Sequence, residues 1–380
     1  MTSLTNHQRA CLGLSPVDAS WRLLALPRSK YDVYDTYAFV DDTAKTIRKV
    51  ILEADMYLDS FFFHEYDVNE VLSDDGEYIL PKTAKGKPVK LTAATLNKKP
   101  GVGVYLSCYG GNMVVGNYTT QQSYWHNGYD KDADAYDSQE AFRQWIDIWC
   151  AETTQNDLMD VQAFAARQRV NVKCGEGDFF RFKLNRRLYG YGRIVLDIRA
   201  MRKAGVKFWD CYMGKPLIAG VYHVVTDNPR LTPDDLRDLP MLPAGAIMDN
   251  VFYYGEYPII GHEPINEDTV TVDYPVNYSE SCQLDDHRMF YQCGRFYREK
   301  PRDKKDIPSA TYAGYANTAI GWKLPCVSLP ILEACIRKGS NQPYWDMNPP
   351  AWTDQDLRNP KNRMIHNRIR RQFGLPEIKE

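Results

Sequence analysis

Two neighbouring stretches decide how the second half of this chain folds: residues 177–184 read GDFFRFKL and residues 189–195 read YGYGRIV. Aromatic and β-branched residues dominate both, and such residues favour strands. We predict a first strand over residues 179–184, a turn at the glycine-bearing residues 189–192, and a returning strand over residues 193–198. This pair would begin a β-rich domain.

The rest of the second half continues as short apolar runs separated by loops with proline and glycine. Sequential antiparallel pairing, in a curled sheet or an open barrel, is expected. The further predicted strands are residues 206–212, 217–225, 246–254 and 269–274. Two helices follow, one over residues 328–338 that ends at Gly339, and one that begins at the cap Asn359 and stops at Gly374.

The first half alternates apolar strand-length runs with turn residues up to about residue 120, and Gly110-Gly111 is expected to join a hairpin. The period then changes to that of helices. Asp137, with Glu140 three residues on, resembles a capping box, and an aromatic stripe follows at helical spacing. That stripe consists of Phe142, Trp145, Ile146 and Trp149. A second helix is expected to begin at Thr154, with Asp157 three residues on.

Length and pattern together predict two domains, since single cores stop growing beyond roughly 250–300 residues and the chain has 380. Helical periodicity ends near residue 165 and strand patterning resumes at residue 179. We place the domains at residues 1–168 and 173–380. The predicted fold class is α+β, mostly β, each domain being a largely antiparallel twisted sheet or open barrel with a few packed helices.

Composition limits the function classes. The formal net charge of −2 gives no overall basic field with which to hold nucleic acid. Nine scattered cysteines and a start without a signal-peptide pattern favour reduced thiols in a cytoplasmic protein. No apolar run approaches the roughly 18–20 residues that span a bilayer, so membrane insertion is not expected.

No catalytic motif is assembled in the sequence. The P-loop, H-E-x-x-H, G-x-S-x-G and C-x-x-C patterns do not occur. His64, His223 and His262 lie in or beside apolar strands, where each could be a general base, but a structural histidine is the favoured interpretation. No catalytic residue and no cofactor are predicted.

An acidic loop is the candidate binding feature. Asp130, Asp132 and Asp134 have the alternate spacing that opens a calcium loop, but Ala135 stands at the position of the required glycine and Ala141 at that of the glutamate. A solvated loop, or a landing site for a basic partner, is preferred to a metal site. The predicted partner-binding residues are Tyr129, Asp130, Asp132, Asp134 and Asp137.

Two further groups remain open. Cys282, Asp285, Asp286, His287 and Cys293 gather possible zinc ligands, although their spacing does not match a zinc knuckle, so no metal is predicted. Residues 358–371 carry six basic residues and no acid. This last helix could contact phosphates, but docking of its apolar stripe Ile365, Ile369 and Phe373 on the core is favoured.

The stretches at residues 177–184 and 189–195 resemble the opening of the immunity protein 26 family of bacterial polymorphic toxin systems, and residues 247–252 are similar to a later strand of it. The resemblance covers residues 173 to about 274. Residues 11–16 and 117–122 are similar, more weakly, to segments of the same kind of immunity protein. The resemblance implies a mostly β fold, no catalytic residues, and a role in neutralising the toxin of a neighbouring gene, often a nuclease.

The function expected from the sequence is therefore that of an immunity protein, which binds its cognate toxin directly and one to one in the cytoplasm. Two alternatives stay open. One is an enzyme that reverses the damage done by the toxin, and the other is a nucleic-acid-binding module that uses the basic last helix. The oligomeric state is not predicted.

Overall fold

The computed structural model divides into two compact units, residues 1–170 and residues 171–380. It describes residues 2–55, 61–81, 83–129, 137–203, 205, 207–212, 214–266, 271–280, 288–308 and 323–378. All strand pairs in both units are antiparallel, and strands are joined by few and mostly short helices. The predicted α+β, mostly β class is confirmed.

The first unit is built on one large sheet whose main strand order is β1-β2-β3-β4-β7-β8-β9, with β5 and β6 paired beside β4. Its strands are β1 (Arg22–Leu26), β2 (Asp35–Asp41), β3 (Thr46–Asp55), β4 (Phe61–Leu72), β5 (Tyr78–Leu80), β6 (Val89–Lys90), β7 (Val102–Tyr109), β8 (Asn112–Asn117) and β9 (Gln122–His126). Its helices are α1 (Asn6–Leu12), α2 (Ala93–Leu96), α3 (Gln139–Ala151) and α4 (Gln155–Ala165).

The predicted hairpin at Gly110-Gly111 is confirmed. Tyr109 pairs with Asn112, which leaves a two-residue turn between β7 and β8. Both glycines have positive φ, 51° and 78°. A tight turn of this kind needs positive φ at both central positions, which explains the two glycines.

The two predicted helices after the sheet are also present, with one change at their start. Ser138, not Asp137, caps α3, since the Ser138 side chain accepts a hydrogen bond from the backbone N–H of Ala141. The carboxylate of Asp137 therefore does not serve as the predicted cap. Thr154 and Asp157 form the expected capping box of α4.

Four charged side chains form a buried ion cluster between α1 and the sheet. Arg9 Nε donates to Glu65 Oε1 at 2.7 Å, and Lys49 Nζ lies 3.3 Å from the same oxygen. Lys49 Nζ also lies 2.6 Å from Asp67 Oδ1. Two cations thus balance two anions. The side chains of Lys49 and Glu65 are inaccessible to solvent, and this cluster fastens α1 to β3 and β4.

The second unit contains a five-stranded sheet of order β13-β12-β11-β10-β14 and a three-stranded sheet of order β15-β16-β17. The strands are β10 (Asp178–Lys183), β11 (Tyr189–Asp197), β12 (Leu217–Val221), β13 (Gly245–Ile247), β14 (Ile259–His262), β15 (Val276–Glu280), β16 (Arg288–Cys293) and β17 (Phe296–Pro301). The helices are α5 (Ile198–Lys203), α6 (Pro233–Leu236), α7 (Asn250–Tyr253), α8 (Leu329–Lys338), α9 (Gln342–Met347), α10 (Pro350–Thr353) and α11 (Arg363–Gln372).

The paired strands at residues 177–195 are confirmed, but the turn lies earlier than predicted. Residues 189–192 belong to β11, and Lys183 pairs with Tyr189, so the chain turns at residues 184–188. The Asn185 side chain supplies the turn by accepting the N–H groups of Arg187 and Leu188. Gly190 and Gly192 lie under the rings of Phe182 and Phe180, where a Cβ atom would be only 2.5 Å and 2.4 Å from the nearest ring carbons.

Four other predicted strands are wrong in whole or in part. The strand predicted over residues 217–225 ends at Val221. Lys207–Cys211 is a 3-10 helix, not a strand. The strand predicted over residues 246–254 ends at Ile247, and α7 follows it. Residues 271–274 lie outside any strand, and residues 269 and 270 lie outside the described residues.

The two predicted C-terminal helices are present. Gly339, with φ of 64°, ends α8 as expected. Asn359 caps a short 3-10 turn, Pro360–Asn362, which leads into α11. Of the helices in the described parts of the chain, none combines the length and the apolar character needed to cross a membrane.

We expect limited proteolysis to cut first within residues 166–174 and to release two stable fragments. No helix or strand occupies this stretch, and residues 166–171 are all exposed. Arg167, Arg169 and Lys173 offer sites for trypsin, which mass spectrometry of the fragments would locate. A stable fragment cut inside residues 142–149, with residues 166–174 intact, would refute the predicted domains 1–168 and 173–380.

Candidate functional site

The acidic loop is only partly within the described residues. Asp130, Asp132 and Asp134 lie outside them. Asp137 is exposed and precedes Ser138, the cap of α3, and its carbonyl accepts the backbone N–H of Phe61. Tyr129 does not fit the prediction, because its side chain is fully buried beside the ring of His126. A residue without accessible surface offers no contact to a partner, so Tyr129 is a core residue.

The candidate zinc ligands also lie only partly within the described residues. Cys282, Asp285, Asp286 and His287 lie outside the described residues. Cys293 lies in β16, where burial raises the pKa of its thiol to about 11. Zinc binds the thiolate, so this environment disfavours binding. Among the described residues, no three histidine, cysteine, aspartate or glutamate side chains are placed to hold a metal ion.

His64 is held as a neutral imidazole. Its Nδ1–H donates to the carbonyl of Leu106 at 3.1 Å, and its Nε2 accepts the hydroxyl of Tyr118 at 2.7 Å. Burial lowers the pKa of His64 to about 4. Both ring nitrogens are thus committed to hydrogen bonds within the first unit, which makes His64 a structural residue.

The free energy of unfolding should fall as the pH is lowered, because His64 is neutral in the folded chain. Below its ordinary pKa of 6.5 the unfolded chain takes up a proton, which the folded chain accepts only near pH 4. From pH 6.5 to about pH 5 this difference should remove about 1–2 kcal/mol of unfolding free energy. We expect the unfolding free energy of His64→Asn, measured with urea, to depend less steeply on pH over this range. An unchanged slope would contradict the neutral assignment.

The other two candidate histidines also have partners. His223 Nε2 bonds to Oδ1 of Asn341 at 2.8 Å, and burial lowers the pKa of His223. His262 Nδ1 lies 2.7 Å from Oδ1 of Asp178, and more than half of the His262 side chain is exposed. Of the three, only His262 presents a large part of its ring to solvent.

The last helix docks as expected. Ile369 and Phe373 are buried in a core cluster with Tyr278, Tyr291 and Met289, and Ile365 packs against it. Carboxylates engage several of the basic side chains nearby: the pairs are Arg358–Asp356, Lys361–Asp354 and Arg371–Glu377. Arg358 is itself almost fully buried. Three of the six basic residues in this stretch are therefore neutralised by carboxylates.

A partly exposed group of charges that the sequence did not reveal lies at the β14 side of the five-stranded sheet. We name it the charged edge cluster: Asp178, Asp234, Arg237, His262 and Glu263. Arg237 Nη2 lies 2.6 Å from Glu263 Oε1 and also pairs with Asp234. Two carboxylates pair with the guanidinium, and the third, Asp178, lies beside His262. The carboxylates outnumber the basic groups, so the cluster is net acidic.

Backbone geometry fixes this cluster. Asp178 pairs with His262 across β10 and β14. Gly177 has φ of 97°, and a Cβ atom there would lie 2.4 Å from the carbonyl oxygen of Glu263. Only glycine allows this close approach, which brings the start of β10 against the end of β14. The glycine that begins the deciding stretch thus positions the His262 and Asp178 pair.

The sheet that carries this cluster lies within a segment that matches a known protein family. Residues 175–285 match the immunity protein 26 family. The resemblance noted from the sequence is confirmed. Comparisons with curated proteins and with solved structures gave no match.

The immunity protein 26 segment includes every strand of the five-stranded sheet, together with α5, α6 and α7. It contains the whole charged edge cluster. The first unit lies outside it, including residues 11–16 and 117–122, whose weaker similarity is left without support by the match. The acidic loop at residues 130–137 is also outside the immunity protein 26 segment.

Proposed function

We propose that this chain is an immunity protein that neutralises a cognate toxin by direct, stoichiometric binding. The observation that carries the proposal is the immunity protein 26 match over residues 175–285. An immunity protein of this kind needs a rigid scaffold and one surface complementary to its toxin. The antiparallel sheet of the second unit provides such a scaffold.

Several histidine and cysteine side chains of the described residues favour binding over chemistry. His64 is engaged at both nitrogens, and burial lowers its pKa and that of His223. Burial raises the pKa of the Cys108, Cys174 and Cys293 thiols to about 11 or 12. A general base works best with a pKa near neutral, and a nucleophilic cysteine with a lowered one, so these groups are poorly poised for either role.

The charged edge cluster is our candidate for the toxin-binding surface. Its carboxylates belong to the family segment, and Asp234, the Arg237 side chain and His262 are well exposed. The ion pairs with Arg237 hold Asp234 and Glu263 in defined positions. An acidic surface of this kind complements a basic surface on a partner protein. Many nuclease toxins would present such a basic surface, because they bind the phosphates of nucleic acid.

The two candidate binding regions can be distinguished by kinetics. Neutralising the loop with Asp130→Asn, Asp132→Asn and Asp134→Asn should slow association with a basic toxin at low salt by about tenfold, with little change in dissociation, because peripheral charges mainly steer encounter. Surface plasmon resonance at two salt concentrations measures both rates. An unchanged association rate at low salt would show that these three aspartates do not steer toxin binding.

Asp234→Asn with Glu263→Gln is the matched variant on the charged edge cluster. If these carboxylates lie within the interface, dissociation should become faster, since truncating a buried partner acts mainly on the dissociation rate. A variant with wild-type dissociation would move the interface elsewhere. Thermal unfolding of each variant establishes that the fold is kept.

A further inference from the structure

The strand β1 lies at the end of the strand order in the large sheet of the first unit. It pairs with β2 over all five residues, from Arg22 opposite Val40 to Leu26 opposite Thr36. On its other side, no described residue hydrogen-bonds to the β1 backbone. A strand edge of this kind presents N–H and C=O groups that another extended strand can satisfy.

The side chains of β1 are unusual for an edge. Residues 23–26 read LLAL and carry no charge, whereas exposed edges are commonly protected by lysine, by inward-pointing charges or by a bulge. Arg22 is the one charged residue of the strand, and it is paired with Asp42. Leu24 and Leu26 pack on the core, while Leu23 is 44% exposed and Ala25 is also exposed.

We propose that β1 pairs with β1 of a second copy of this chain, antiparallel and about a twofold axis centred on Leu24. In that register Leu23 of each copy lies opposite Ala25 of the other, and Leu24 lies opposite Leu24. Arg22 lies opposite Leu26, so the pairing places no like charges directly opposite each other. A twofold axis at Leu24 brings the same strand of both copies together, as an isologous interface requires.

The register makes a specific experiment possible. In the double variant Leu23→Lys with Ala25→Lys, lysines oppose lysines at two places, and directly opposed like charges are destabilising. In Leu23→Glu with Ala25→Lys, each glutamate instead lies opposite a lysine. Both variants change exposed side chains and add two charged residues, and they place either like or opposite charges across the paired strands.

Analytical ultracentrifugation of the full chain is the measurement. The wild type should show a reversible dimer with a dissociation constant of about 1–100 µM, as expected of a small interface. The lysine–lysine variant should weaken the dimer by at least about tenfold, and the glutamate–lysine variant should restore it. Ile148→Lys, which adds a charge at a 58% exposed position on α3, should leave the dimer unchanged.

Three results would overturn the proposal. One is a wild-type chain that stays monomeric at the highest concentrations tested, which would leave the edge to a strand of another protein. The second is a dimer that neither double variant weakens. The third is a dimer that both double variants weaken equally, since that would exclude the register centred on Leu24. None of these results bears on toxin binding, which is tested separately.

Discussion

Glu65→Gln should lower the free energy of unfolding of the first unit by about 3–5 kcal/mol. The Glu65 carboxylate is inaccessible to solvent and accepts Arg9 Nε at 2.7 Å and Arg9 Nη2 at 3.2 Å. Lys49, equally buried, lies 3.3 Å away. Removing this anion leaves two cations against Asp67 alone, so the interior retains an unbalanced positive charge. Urea unfolding, or hydrogen exchange of α1 and β4, measures the loss.

An exposed ion pair on the same sheet provides the control. Asp74 pairs with Lys45, but its side chain is 95% exposed. Water and salt already screen such a pair, so Asp74→Asn should leave stability close to that of the wild type. Adding Lys49→Met to Glu65→Gln should recover part of the loss, because it removes one uncompensated cation. Equal, small effects of Glu65→Gln and Asp74→Asn would show that the cluster is not buried in solution.

Trp149→Ala should destabilise the first unit by about 3–5 kcal/mol. Its ring centroid lies 5.1 Å from that of Trp145 and 5.2 Å from that of Trp125, between α3 and the sheet. Its Nε1–H donates to the carbonyl of Cys11 at 2.9 Å, which ties α3 to α1. Truncation opens a cavity and also leaves that buried carbonyl without its donor.

A neighbouring residue on α3 separates packing from helix propensity. Ile148→Ala removes a side chain that is 58% exposed, so stability should change by less than about 0.5 kcal/mol. The stability of Trp149→Phe should lie between those of Trp149→Ala and Ile148→Ala, since phenylalanine keeps most of the volume and loses the hydrogen bond. Wild-type stability of Trp149→Ala with loss of partner binding would instead make this aromatic face a binding surface.

Local sequence patterns predicted those elements whose conformation depends mainly on their own residues. Gly110-Gly111 fits a turn that requires positive φ, and Thr154 with Asp157 satisfies the first turn of α4. Gly339 ends α8 by adopting the left-handed conformation. In each case the signal and the structure it specifies lie within a few residues, so no knowledge of tertiary contacts was needed.

The predictions failed where the conformation of a segment depends on residues that are distant in sequence but close in space. The apolar run around Phe208 and Trp209 suits a strand or a short buried helix equally well, and it packs as a 3-10 helix against Phe290. Gly190 and Gly192 suggested a turn, but they are small because the rings of Phe182 and Phe180 cover them. The burial of Lys49 and Glu65 in β3 and β4 likewise depends on tertiary contacts, since Arg9 of α1 pairs with Glu65.

The candidate site shows the same division. The family segment could be recognised from the strand and glycine pattern at residues 177–195. The charged edge cluster could not, because Asp178, Asp234 and Glu263 are brought together only by the pairing of β10 with β14 and the position of α6. Tyr129 was chosen for its place beside the acidic loop, whereas the fold places its ring in the core.

The central claim is that protection works by occupying the toxin. The most direct test is a titration of purified toxin activity against this chain, followed in parallel by size-exclusion chromatography. We predict that inhibition rises linearly and is complete near one equivalent, with a complex that co-elutes. Full protection by a small fraction of an equivalent, without any detectable complex, would contradict stoichiometric binding and indicate an enzyme that reverses the damage.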